Sequence, residues 1–429
     1  MLSPALFILF ACGFLLLVML VEHVSRCSAV PSVGWMLLLG LGYGLARRLG
    51  LDWMPGVSLS PDLVIFGFLP LLIFNSSRLL HVRVLVSELA EIGYLSFVGP
   101  IIGMVLLALP LVWHGSMGWM DALLFGAALS TTDPVAVGAI MRRLRVPPRL
   151  LALIEGESLL NDAFVLILFS ALSAVVLDHT ALSASRTAGE FVYALLGAVV
   201  LGALAGGLGG LLLRKWRELP HRFIGAAFPL IVVYGTFALA HSVARVSGVI
   251  AVVAATLTLS SLHTHRHDKT ADQRRADTFF DDFWGFLATL ANGALFFGMG
   301  VMVGQHRWLL PWFLVPAVGA AMVISRAMTV YPLVLVSRIT RRRIPTPWMH
   351  MINASGLRGG LSVALLLTLP SAYPHRMAMV CLAFALLLFG LAAYVVADRL
   401  YLRDLTLAPV DAHERSTVET CGVAGKEES

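Results

Sequence analysis

Charge is what this chain has least of. Asp, Glu, Lys and Arg make up 13% of its 429 residues, about half the share usual in a soluble domain (about 25%). Hydrophobic residues make up 58%, and the mean hydropathy is +0.85. So little charge excludes a soluble globule and points to a polytopic membrane protein. Cysteine is also scarce: Cys12, Cys27, Cys381 and Cys421 are scattered, which excludes a disulfide framework, and no Cys/His cluster has the spacing of a zinc site. His263, His265 and His267 fall in a polar segment, 263–277, that reads as a cytoplasmic loop; metal binding there is the minor alternative, since no further ligand is at hand. The N-terminus, M-L-S-P-A-L-F-I-L-F, lacks a basic n-region and stays apolar to about Val21, too long for a signal peptide's core, so it reads as a first transmembrane helix. No soluble output domain is apparent, and the tail, 403–429, is polar, aperiodic and expected to be disordered.

The net charge of +6 does not mark a nucleic-acid binder, because the basic residues sit in short loops between apolar runs. Those runs cover roughly 4–21, 30–46, 61–77, 92–113, 119–140, 150–177, 190–213, 223–243, 246–262, 279–304, 308–336, 348–370 and 377–398, about thirteen spans. The boundary between His241 and Gly248 is the least distinct. Loops after odd-numbered spans hold Arg78 and Arg83, the arginines from 142 to 149, the basic residues from Arg214 to Arg222, those from Arg266 to Arg275, and Arg338 to Arg343. Loops after even-numbered spans hold far fewer, a bias of roughly threefold that places the N-terminus outside and the C-terminus in the cytoplasm. Arg326 and Arg358 are left within spans, as candidate partners for buried acids.

Those acids lie in Ile154–Ser170, read I-E-G-E-S-L-L-N-D-A-F-V-L-I-L-F-S. A charged side chain at bilayer depth costs about 2.5–3.5 kcal/mol on insertion scales, so Glu155, Glu157 and Asp162 need partners or water. On a helix, Glu155, Ser158 and Asp162 share one side. Asp162 falls about 18 Å past Leu150, near the middle of a hydrocarbon core of about 30 Å. For Glu157, nearer the entry end, a structural ion pair is the better reading. For Asp162, beside the amide of Asn161 and the hydroxyl of Ser158, a functional role is.

Two spans are interrupted. Leu129-Ser130-Thr131-Thr132-Asp133-Pro134 breaks the fifth, because Pro134 lacks an amide donor and disfavours helix at Asp133. Asp133 then reads as the N-cap of a second half-helix. Asn353-Ala354-Ser355-Gly356-Leu357-Arg358-Gly359-Gly360 breaks the twelfth, its glycines permitting non-helical backbone or very close packing and Arg358 offsetting exposed carbonyls. The breaks lie seven spans apart, so the two segments run oppositely, as inverted repeats with crossed broken helices do. Repeat one covers about 4–177 and repeat two about 223–402, within a membrane domain of 1–402. The connector, about 190–213, carries Gly202, Gly206 and Gly210 in a close-packing register.

T-T-D-P at 131–134, E-G-E-S-L-L-N-D-A at 155–163 and G-L-R-G at 356–359 resemble, in order and spacing, the monovalent cation/proton antiporters. The Asn-Asp pair is similar to their sodium/proton exchanger branch, usually electroneutral. The resemblance implies that Asp162 binds the cation or the proton, that Thr132, Ser158 and Asn161 shape the site, and that Asp133 sits at the crossing. A sodium ion would lie at Asp162, Ser158 and Thr132. Glu157 would pair with Arg326, and Arg358 would stabilise the second broken helix. The resemblance also implies a homodimer. Two positions depart from the family pattern: Asn75, where many members have an acid, and Gly285 in place of the acid of F-W-E.

One carboxylate serving two ligands in turn gives the chemistry, since a bound cation and a proton compete for the same oxygens. With an amide at 161, one positive charge replaces another, so one-for-one electroneutral exchange of sodium or lithium for a proton is expected, serving pH and sodium homeostasis at a cell membrane. The rivals are potassium/proton exchange, an organic-anion carrier on a similar fold, and a membrane ion or pH sensor that does not transport. Neither enzyme activity, a cofactor nor nucleic acid is expected; the partners are the cation, protons and the lipid bilayer.

Overall fold

The computed structural model describes residues 4–28, 30–50, 59–80, 82–132, 146–178, 184–215, 222–263, 271–307, 311–356 and 358–397. Among them every regular element is helical. In chain order these are α1 (Pro4–Cys27), α2 (Ser32–Arg48), α3 (Leu69–Ser77, entered through a π turn, Leu63–Phe68), α4 (Leu89–Trp113), α5 (Trp119–Leu129), α6 (Pro148–Asp178) and α7 (Ala184–Lys215). Then follow α8 (Arg222–Ala238, ending in a π turn, Leu239–Ala244), α9 (Gly248–His263), α10 (Ala271–Gln305), α11 (Leu314–Val330, continued by Leu333–Ile339), α12 (Thr346–Ala354), α13 (Gly360–Thr368) and α14 (Arg376–Ala397). With α12 and α13 as halves of one crossing, these elements correspond to the thirteen expected spans. Eight of the helices are by themselves long and apolar enough to cross a membrane.

The indistinct boundary at His241–Gly248 is a true turn between two helices. The π turn closes α8, and Arg245 takes a left-handed conformation (φ 52°, ψ 39°) before α9 starts at Gly248. For a residue with a Cβ that conformation is uncommon, and it reverses the chain in three residues.

Helices without a water-driven attraction between them need small residues to approach closely. The α7 register does this: a Cβ on Gly202 would stand 2.2 Å from the Ala251 carbonyl oxygen, and one on Gly206 would stand 2.2 Å from that of Ala255, so α7 lies backbone to backbone on α9. The sequence pattern did not single out a second such seam, between α2 and α10. There Gly40 would meet the Phe297 carbonyl at 2.2 Å and Gly44 that of Val301 at 2.3 Å.

α6 is the central helix, packed against α4, α5, α7 and α9 and touching α13. Its Glu155, Glu157, Ser158, Asn161 and Asp162 are all buried, while α1 and α7 turn large apolar side chains such as Leu16, Met19, Leu204 and Leu208 outward. This is the reverse of a soluble bundle. It follows from a solvent that is itself hydrocarbon.

Candidate functional site

α6 brings Glu155, Glu157, Ser158, Asn161 and Asp162 to the centre of the bundle, with Asp162 4% exposed and the other four at 2% or less. Opposite them lies the end of α5, where Ser130, Thr131 and Thr132 leave the helix. A helix that stops inside a membrane leaves carbonyl oxygens without helical partners, and in hydrocarbon each must be satisfied by another group. Three side chains do so. Ser158 Oγ donates to the Thr132 carbonyl at 2.6 Å, Asn161 Nδ2 donates to the Ser130 carbonyl at 3.0 Å, and Arg358 Nη1 donates to the Ser130 and Thr131 carbonyls at 3.2 and 3.3 Å. Asn161 Nδ2 also lies 3.5 Å from Thr132 Oγ1. The residues set beside Asp162 by sequence are therefore gathered around one broken helix end. Asp133 and Pro134 lie outside the described residues.

The second crossing supplies the other wall. α12 stops at Ala354, Gly359 is extended (φ −111°, ψ 175°), and α13 begins at Gly360. Two of its glycines are there for space rather than for unusual torsions. A Cβ at Gly356 would stand 2.8 Å from Arg326 Nε, and one at Gly360 would stand 2.5 Å from Leu295 Cδ2. Arg358, buried at 8% exposure, directs Nη1 to the carbonyls of the α5 end, so the cation of one interrupted crossing caps the other. The two breaks also touch directly, with Thr131 Oγ1 2.6 Å from Ser362 Oγ.

One turn toward the start of α6, Glu157 is gripped by Arg326 of α11 in a two-pronged pair. Nη1 bonds Oε1, and Nη2 bonds Oε2 at 2.8 Å. Nη2 also donates to the Ile352 carbonyl of α12 at 2.9 Å, so the pair joins α6, α11 and α12. Such forked geometry is the strong form of a charge-assisted bond. Ser96 of α4 donates to the Glu157 carbonyl at 3.0 Å and fixes α6 from the other side.

Asn161 is placed to do more than hold backbone. Its Oδ1 is buried and has no hydrogen-bond partner among the described residues, which leaves an amide oxygen next to the Asp162 carboxylate in α6. Buried oxygens gathered in a small volume, one of them anionic, suit a hard monovalent cation or a proton.

Several groups at the edges of the site were not foreseen. Arg149 and Arg342, read from sequence only as loop charges, converge on the fully buried Glu88 at the start of α4: Arg149 Nη2 lies 3.0 Å from Oε2 and Arg342 Nη1 2.7 Å from Oε1. Glu91, also fully buried, accepts from Thr340. The only sequence signal was their place just ahead of the fourth apolar run. Asn75, at the position where an acid was expected, accepts from Arg78 Nε at 3.3 Å, and Arg78 in turn pairs with Asp281 of α10. A Cβ at Gly285 would meet nothing within 4 Å, so this glycine stands beside open space and is not required by close packing. Beyond the helices, the Tyr373 hydroxyl bonds Asp121 at the start of α5. Burial, then the bond and the negative charge of Asp121, push its phenol well above the ordinary range. Of the three loop histidines, 265 and 267 lie outside the described residues, and among the described residues no group of His, Cys, Asp or Glu could hold a metal ion.

Known proteins resemble this chain in sequence and in fold. A low-affinity sodium/proton antiporter of Synechocystis sp. is 30% identical over 82% of this chain, which aligns to 66% of that relative's length. A sodium/proton antiporter of Pseudomonas aeruginosa is 32% identical over 79% of this chain and 81% of its own. The structure of a sodium/proton antiporter from Methanocaldococcus jannaschii at pH 8 superposes with a TM-score of 0.64, covering 94% of this chain and 98% of the other at 17% identity, which is a likeness of fold. The model of the transmembrane sodium/hydrogen exchangers matches residues 13–397, nearly the whole described bundle, and the chain belongs to that family.

Proposed function

We propose that the protein exchanges a monovalent cation, sodium or lithium, for a proton across a cell membrane, one for one and without net charge movement. The observation that carries this is the buried carboxyl of Asp162 beside the Asn161 amide, set against a broken helix end whose carbonyls are already taken by Ser158, Asn161 and Arg358. With those carbonyls engaged, the oxygens left to exchange ligands belong to side chains. Asp162 binds the cation or the proton in turn, Ser158 and Thr132 offer hydroxyl oxygens to a sodium ion, and Asn161 offers Oδ1.

Charge balance supports the stoichiometry: Glu157 is engaged by Arg326, and at Asp162 one positive charge, cation or proton, replaces another. Access alternates as the bundle around the two broken crossings moves rigidly against a more static dimerisation domain, in a homodimer whose chains are built of inverted repeats, about 4–177 and about 223–402, with the N-terminus outside and the C-terminus in the cytoplasm.

The test is a proton-gradient assay in liposomes holding the purified protein, with sodium, lithium, potassium or choline added in turn. Sodium and lithium are expected to dissipate an imposed gradient without a membrane potential developing. Absence of cation-dependent proton movement at every pH from about 6 to 9, which brackets the range over which a buried carboxylate is commonly shifted, would refute the proposal, and a response to potassium alone would replace the cation.

A further inference from the structure

The stretch Ser130–Thr132 is held from two sides. α6 takes the Thr132 and Ser130 carbonyls through Ser158 and Asn161, and the second crossing takes the Ser130 and Thr131 carbonyls through Arg358. One further contact joins the two crossings: Thr131 Oγ1 and Ser362 Oγ, 2.6 Å apart, on residues that are both 0% exposed. Ser362 lies in the first turn of α13 and follows Arg358 by four residues, across the extended Gly359.

Thr131 Oγ1 also has the Ala128 carbonyl within 3.4 Å, and either hydroxyl can donate in the shorter bond. At 2.6 Å this is the shortest link between the crossings, against 3.2 and 3.3 Å for the bonds of Arg358. Thr131 is joined by one peptide plane to Thr132, whose hydroxyl lies beside Asn161 and whose carbonyl meets Ser158. Rotation at Thr131 would swing both away.

The geometry points to Ser362 as a positioning residue of the exchange site, acting through Thr131 and touching no ion itself. This rests on the reading of Asp162 and Thr132 as the cation site given above. Ion sites of this kind tolerate little slack, because a ligand oxygen displaced by a fraction of an ångström binds a small cation poorly. Loss of the Ser362 hydroxyl is therefore expected to weaken cation binding while leaving the rate of the loaded carrier nearly intact.

The experiment measures proton flux against sodium concentration in liposomes for wild type, Ser362→Ala, Thr131→Val and the double variant. Both single changes remove one polar atom without altering bulk much, and each is expected to raise the half-saturating sodium concentration about 3- to 10-fold, the worth of one net hydrogen bond. The maximal rate should stay within about twofold of wild type. Because the two hydroxyls act through each other, the double variant should be no worse than either single one. Wild-type half-saturation in Ser362→Ala, a fall in maximal rate alone, or additive losses in the double variant would each overturn the assignment. Failure of wild type to exchange any cation would remove the exchange reading and this one with it, whereas normal exchange with an unaffected Ser362→Ala would remove only this one.

Discussion

Breaking the Glu157–Arg326 pair from either side should give two variants that differ in how much stability they lose. The Glu157 side chain is 2% exposed and that of Arg326 10%, so neither charge is relieved by water. Removing one partner of a buried pair costs about 3–5 kcal/mol, most of it the penalty on the charge left behind. In Glu157→Gln that charge is a guanidinium. It keeps the Ile352 carbonyl at 2.9 Å and gains a neutral amide oxygen, so the loss should fall near the lower figure. In Arg326→Gln the group left is the Glu157 carboxyl, and the nearby Ser96 hydroxyl gives it no help because its bond goes to the backbone carbonyl. The Ile352 carbonyl loses its donor as well, so the loss should fall near the upper figure. Melting curves of the purified variants in detergent measure this, and the combined charge exchange, Glu157→Arg with Arg326→Glu, should recover part of the loss. Single variants as stable as wild type, or a larger loss in Glu157→Gln than in Arg326→Gln, would refute the reasoning.

Asp162→Asn keeps the shape of the side chain but cannot ionise, so exchange should vanish while the melting temperature holds or rises, as the cost of an ionisable group at that depth is gone; a stable variant that still exchanges at the wild-type rate would take Asp162 out of the mechanism. Tyr373→Phe deletes the bond to Asp121 and should cost about 1 kcal/mol near neutral pH. Because the phenol titrates higher in the folded protein than in the unfolded chain, the stability it contributes is complete below the ordinary tyrosine value of about 10 and is lost as the pH rises beyond it. Wild type should therefore weaken above that pH more steeply than Tyr373→Phe, which melting curves from pH 8 to 11 would show.

The spans, their number and the place of the central acids were all legible in the residues. Hydropathy and the 3.6-residue period are local properties, and a membrane leaves the backbone few alternatives to helix. The glycines from 356 to 360 marked the second break for the same reason, because each acts on its own turn. A charge-poor interior left Arg326 and Arg358 as candidate partners for the buried acids, and the match of Arg326 to Glu157 across 169 residues came with the family resemblance. Where several partners competed, the sequence was silent. Nothing in it says that Arg149 and Arg342 converge on Glu88, 61 and 254 residues away, that Arg358 caps α5, or that Ser362 meets Thr131 across 231 residues. Those pairings depend on the depth and rotation at which helices dock. Contacts such as Gly206 against the Ala255 carbonyl and Gly40 against that of Phe297 fix these, and the register of a glycine against a backbone several helices away is decided only when the whole bundle packs.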